Sequence, residues 1–120
     1  MIAVFDTNIV IDALNGVPEA DEEYSRYDRV LISDVTWMEI LSGADGDDAL
    51  LRDFLEAHFQ IIPLDLAIAD EALHLRREFR LRLPDAIIWG TARYNDTLLV
   101  TRNTKDFNPE WEGIHLPYTL

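Results

Sequence analysis

At 120 residues, 48% of them hydrophobic and none of them cysteine, the chain has the size and composition of one domain over residues 1–120, with no disulfide framework and no thiolate metal site. A formal net charge of −13 argues against a simple polyanion-binding surface, although seven of the ten Lys and Arg fall between Arg76 and Lys105, and residues 1–60 set only Arg26, Arg29 and Arg52 against 14 acids. No apolar run approaches the ~20 residues of a membrane span, and the start Met1-Ile2-Ala3-Val4-Phe5-Asp6 has neither a basic n-region nor a cleavage motif; a cytoplasmic protein with no membrane partner is the expectation.

Taken in order, residues 2–5 read as a buried strand, and Thr7 to Leu14 as a helix stopped by Asn15-Gly16 and Pro18. Glu19 to Tyr27 is a polar, helical connection. Val30-Leu31-Ile32 is a second strand, after which Ser33 or Asp34 caps a helix ending near Ser42-Gly43. Asp47 and Asp48 open another helix, with Leu50, Leu51, Phe54, Leu55 and His58 at helical spacing. Gln60-Ile61-Ile62 is a third strand, and Asp65 caps a long helix with Ile68, Ala72, Leu75 and Phe79 on one face. Pro84 suits the first turn of the next helix. Leu98 to Thr101 is a fourth strand, and Ile114-His115-Leu116, followed at once by Pro117, is a fifth at an edge. The alternation predicts an α/β sandwich around a mostly parallel sheet.

That layout gives four scattered acids a common address. Asp6 closes the first strand, Asp106 follows the fourth, Asp85 opens a helix after Pro84, and Glu39 lies in the helix after the second strand. Ligands of parallel α/β sheets bind outside the carboxyl ends of the strands. Each acid alone has an ordinary explanation: a helix cap for Asp6, a capping box with Thr36 for Glu39, a first-turn charge for Asp85, a turn for Asp106. Brought together they do not stay unpartnered. Two carboxylates about 5 Å apart repel by roughly 3 kcal/mol at an effective dielectric of about 20, so the cluster takes up protons or binds a divalent cation. Thr7 and Asn8 are placed to fix Asp6 by hydrogen bonds. Asp12, nearly two turns further along, reads as a surface residue. His58, His74 and His115 follow no zinc spacing, and His58, on an apolar helix face, reads as packed or half-buried. Trp37, Trp89 and Trp111 read as core or interface rings.

Four blocks then carry a resemblance that runs essentially end to end. They are Val4-Phe5-Asp6-Thr7-Asn8, Ile32-Ser33-Asp34-Val35-Thr36-Trp37-Met38-Glu39-Ile40 with Gly43, Leu83-Pro84-Asp85-Ala86-Ile87-Ile88, and Thr101-Arg102-Asn103-Thr104-Lys105-Asp106-Phe107. In these the chain resembles PIN-domain ribonucleases, most closely the VapC-type toxins of bacterial and archaeal toxin–antitoxin pairs. The resemblance implies a PIN-like three-layer sandwich with four to five strands. It implies an acidic quartet at Asp6, Glu39, Asp85 and Asp106, with the polar position after the last strand falling on Thr101 or Asn103. It also implies RNA as substrate, a homodimer and a cognate antitoxin. The chain departs from the family pattern at Trp89, where a small residue is usual and where a large ring would narrow the groove or join a dimer contact, and in its strong acidity.

All-oxygen ligands select a hard cation, Mg²⁺ or Mn²⁺. The expected arrangement has Asp6 and Asp85 as direct ligands, Glu39 and Asp106 holding waters or a second ion, and Arg102 holding a substrate phosphate beside Lys105. Water attacks phosphorus, leaving 5′-phosphate and 3′-hydroxyl ends. Two rival readings are a non-catalytic PIN-like binding module and a haloacid-dehalogenase-like phosphatase. Asn8 stands where the latter needs its second acid.

Overall fold

The computed structural model describes residues 1–120. Its elements are β1 (Ile2–Phe5), α1 (Thr7–Leu14), α2 (Pro18–Ser25), β2 (Arg29–Ser33), α3 (Asp34–Ser42), α4 (Ala49–His58), β3 (Gln60–Ile62), α5 (Leu66–Phe79), α6 (Leu83–Tyr94), β4 (Leu98–Val100) and β5 (Ile114–His115). The five strands form one sheet in the order β3-β2-β1-β4-β5, and every pairing is parallel. α1 ends at Leu14 as expected, and Pro18 itself starts α2 from its first position, so that helix runs from Pro18 to Ser25 rather than from Glu19 to Tyr27.

The strands are short because both faces of a parallel sheet are covered, so they need only brief apolar runs. Val4 pairs with Leu31 on one side and Leu99 on the other. These three point to the face packed by Ala72, Leu75, Ala86, Ile88 and Trp89 of α5 and α6. Their neighbours Ala3, Phe5, Val30, Ile32 and Val100 point the other way, onto Ile9 and Val10 of α1, Ile40 of α3 and Leu55 of α4. This two-residue alternation makes three layers.

The tightest contact between helices is α5 on α6, where a Cβ on Gly90 would lie 3.1 Å from the Ala72 nitrogen and 3.2 Å from its Cα. The neighbouring Trp89 is 1% exposed. Its ring stacks on Trp111 with centroids 5.5 Å apart and also meets Phe79 and Phe107. Trp89 therefore neither narrows a groove nor offers a dimer contact: the ring turns inward, because α6 presents it to the apolar layer between α5 and the 101–113 loop. His58 is exposed, with its ring stacked on Phe54 at 4.3 Å and Nδ1 against the Phe54 carbonyl.

The strand order has one reversal. From β1 the chain fills one side of the sheet with β2 and β3, then α5 and α6 carry it back past β1 to β4 on the other side. The carboxyl ends of β1 and β4, adjacent in the sheet, thus flank a topological switch point.

Candidate active site at the switch point

Asp6 stands at that point, immediately after β1. Its backbone nitrogen continues the sheet by donating to the Val100 carbonyl at 2.9 Å, while its side chain caps α1 by accepting from the Thr7 nitrogen at 2.7 Å. The other carboxylate oxygen accepts from the Thr101 hydroxyl at 2.8 Å and from Asn8 Nδ2 at 3.1 Å. Thr101 is the first residue after β4 and is itself buried. The Asp6 carboxylate is 4% exposed. Burial pushes its pKa up from 3.8 to about 6, against the hydrogen bonds from Thr101 and Thr7 and with help from the charges of Asp85 and Glu39. The fold therefore holds Asp6 in place but leaves its charge uncompensated.

Asp85 enters from α6, whose first turn it occupies. Burial raises its pKa; the Arg82 charge opposes the rise, and Asp106 and Glu39 add to it. Its Oδ2 is buried without a hydrogen-bond partner. The nearest cation, Arg82 Nε, lies 3.4 Å away, which makes a charge pair without hydrogen-bond geometry. Asp106 lies in the loop after β4, where Asn103 Nδ2 donates to its Oδ2 at 2.9 Å and Asn103 Oδ1 accepts from its backbone nitrogen at 3.2 Å. Glu39, exposed on α3, accepts from the Thr7 hydroxyl at 2.7 Å. The Thr7 hydroxyl also lies 3.0 Å from that of Thr36.

Asn8 and Thr101 thus hold Asp6, Thr7 holds Glu39 and Asn103 holds Asp106, leaving Asp85 without such a partner; the charges of Asp85 and Glu39 reach Asp6, and those of Asp106 and Glu39 reach Asp85. No three Asp, Glu or His side chains converge into a ready-made ligand set. None of the four acids lines a cavity. The largest cavity, about 900 Å³, opens at the other end of the sheet between Met1, Asp28, Asn95 and Gly113. Asp6 and Asp85 are buried, while Glu39 is exposed and Asp106 half-buried, so the cluster runs from the interior to the surface.

Two residues differ from their sequence reading. Asp12, read as surface, is 6% exposed. It accepts Arg102 Nε at 2.6 Å, Arg102 Nη2 at 2.9 Å and the Tyr118 hydroxyl at 2.8 Å. Burial works to raise its pKa, but these hydrogen bonds and the Arg102 charge outweigh it and hold the carboxyl below its usual range. Arg102, read as a phosphate contact, has two of its three guanidinium nitrogens committed to Asp12, and its backbone nitrogen donates to Asn8 Oδ1 at 3.1 Å. Arg102 therefore positions Asn8 behind Asp6. Sequence reasoning also passed over Arg82, which contacts both Asp85 and Asp106; its place three residues before Asp85 was the available signal.

The PIN-domain family model matches residues 3–108 and so takes in all four acids. The chain belongs to the PIN-domain family. A curated PIN-domain relative, the tRNA(fMet)-specific endonuclease VapC of Shigella flexneri, is 29% identical over 117 residues, covering 87% of this chain and 88% of that protein. Among solved structures, a toxin–antitoxin complex from Klebsiella pneumoniae contains a chain 40% identical to this PIN domain. It superposes with a TM-score of 0.87 over 98% of this chain and 99% of that one. VapBC2 from Rickettsia felis, bound to a DNA fragment from its promoter, is 24% identical with a TM-score of 0.75 over 97% of each chain; it shares the fold. No helix of this PIN domain is long and apolar enough to cross a membrane.

Proposed function

We propose that this PIN domain is a metal-dependent ribonuclease that hydrolyses RNA phosphodiester bonds and serves as the toxin of a toxin–antitoxin pair. The observation that carries the reading is the pair of buried carboxylates at the switch point: Asp6, pushed up to about 6 by burial, and Asp85, with an oxygen that has no hydrogen-bond partner. The VapC endonuclease and the toxin–antitoxin complex from Klebsiella pneumoniae, similar along nearly their whole length, support the substrate class and the biological role.

The donor set fits a hard divalent cation. It is all oxygen, it carries excess negative charge, and its two most buried members lack a cation in hydrogen-bond contact. Asp6 and Asp85 would hold Mg²⁺ or Mn²⁺, ions that prefer oxygen ligands. Bound there, such an ion supplies an acidified water as nucleophile and positive charge against the phosphoryl oxygens. The protein's own part is orientation. Thr101 and Asn8 fix the Asp6 carboxylate, Thr7 aims Glu39, and Asn103 aims Asp106. Glu39 and Asp106, the more solvated pair, would hold metal-bound waters or a second ion. With water as the nucleophile, the 2′-hydroxyl unused and the 3′-oxygen leaving, the products would carry 5′-phosphate and 3′-hydroxyl ends.

The same reading gives the protein a cytoplasmic site of action, a homodimeric state and a cognate antitoxin that covers the four acids. The test is cleavage of end-labelled RNA in Mg²⁺, in Mn²⁺ and in EDTA. The wild type cuts in either metal and not in EDTA, while Asp85→Asn does not cut. Cleavage by Asp85→Asn at the wild-type rate, or in EDTA, refutes the assignment.

A further inference from the structure

An RNA strand held beside four acids gains from a basic side chain near its phosphates, and Arg102 is committed to Asp12. Arg93 pairs with Glu71 at 3.4 Å and lies over the Trp89 ring. Arg82 is the one cation in ion-pair contact with the quartet, its Nε 3.4 Å from Asp85 Oδ2 and its Nη2 3.4 Å from Asp106 Oδ2. Both distances exceed the 2.7–2.9 Å of a strong charge-assisted hydrogen bond. The side chain is 75% exposed. The guanidinium is therefore held over the acids by charge and one long hydrogen bond, from Nη2 to Asp106 Oδ2, and its exposure leaves it room to turn away.

We propose that Arg82 is the phosphate ligand of this site and that it works in exchange with the metal. This rests on the ribonuclease reading. Without the metal, Arg82 offsets the charge of Asp85 and Asp106. A divalent cation on Asp6 and Asp85 removes that attraction and repels the guanidinium. A phosphate arriving beside Asp85 then offers the anion the guanidinium has lost, in a form suited to its planar fork of donors. One arginine thus serves as stand-in counter-ion in the resting protein and as substrate clamp in the working one, which lets an otherwise acidic surface hold RNA.

Two measurements test this. The first is binding of a fluorescent single-stranded RNA in Ca²⁺, which takes oxygen ligands as Mg²⁺ does, with Glu39→Gln as parent so that the strand stays whole. Adding Arg82→Gln weakens binding about 3- to 10-fold and lowers the slope of log K against log salt by about 0.7, one phosphate's worth for a single strand. Adding Arg82→Lys keeps the slope, and adding Arg77→Gln, on the exposed side of α5, changes neither quantity. In EDTA the effect of Arg82→Gln disappears. The second is Mn²⁺ titration without RNA, in which Arg82→Gln binds the ion about 2- to 5-fold more tightly than wild type because no cation has to be displaced. An unchanged salt slope, or Mn²⁺ affinity that is unchanged or weaker, overturns the exchange. If that happens while the wild type still cuts RNA, the ribonuclease reading stands. A wild type that neither cuts nor binds RNA brings down both.

Discussion

Asp6 offers a direct measure of what the fold gives up to keep a charge at the switch point. Its carboxyl is moved from 3.8 to about 6, mainly by burial. A raised folded-state pKa means that the folded protein holds the proton more tightly than the unfolded chain. The stability this brings is fully present below pH 3.8 and is lost as pH rises through about 6. At about 1.4 kcal/mol per tenfold change, the loss comes to about 3 kcal/mol by pH 8. Asp6→Asn mimics the protonated acid at every pH. In EDTA, its stability relative to wild type should rise by about 2.5 kcal/mol between pH 4 and pH 8, most of the full span. A constant offset of about 1 kcal/mol arises where the amide meets the Asn8 donor. Urea unfolding of both proteins across that range measures the span directly, because pH effects from distant groups cancel in the difference. Saturating Mg²⁺ at pH 8 should reverse the order, since only the wild type gains from binding the ion. A difference that stays flat with pH, or that falls, would refute the account of Asp6 as a carboxylate buried without compensation.

Asp12→Asn removes the buried anion that holds Arg102 and Tyr118, and is expected to destabilise the protein by about 2 kcal/mol in thermal unfolding while leaving the four acids in place. Because the Asp12 carboxyl is held low in the folded protein, its contribution is present above its unfolded pKa and lost as pH falls through the folded one; the gap between wild type and Asp12→Asn should therefore narrow in acid. Gly90→Ala drives a methyl against the backbone of Ala72 and is expected to cost about 1–3 kcal/mol, read as a lower urea midpoint with unchanged slope.

Much of this architecture was legible because it rests on local signals. The runs at residues 2–5, 30–32, 60–62 and 98–101 are short and apolar, and all four are strands, the last ending one residue earlier at Val100. Asp6 and Asp106 were locatable because each follows a strand. What resisted reading depends on partners far away in sequence. Asp12 is buried because Arg102, 90 residues on, and Tyr118, 106 residues on, converge on it; spacing within α1 holds no trace of either. Trp89 turned inward for a similar reason, since its stacking partner Trp111 lies in a loop with no periodicity to announce it. Arg82 lay in plain view but was grouped with the other cations of the 76–105 segment. Only the fold shows which of them reaches the acids.

The order β3-β2-β1-β4-β5 also governs when the site comes into being. Asp6 precedes Thr101, which fixes its carboxylate, by 95 residues, and Asp106, which completes the quartet, comes later still. The strand that closes against β1 beside Asp6 begins only at Leu98. No fragment ending before Asp106 carries all four acids, and the β1–β4 pairing closes a long loop, a step that comes late when local contacts form first. A growing chain therefore cannot bring the four acids together until residue 106 has been made, whatever the order in which its helices form.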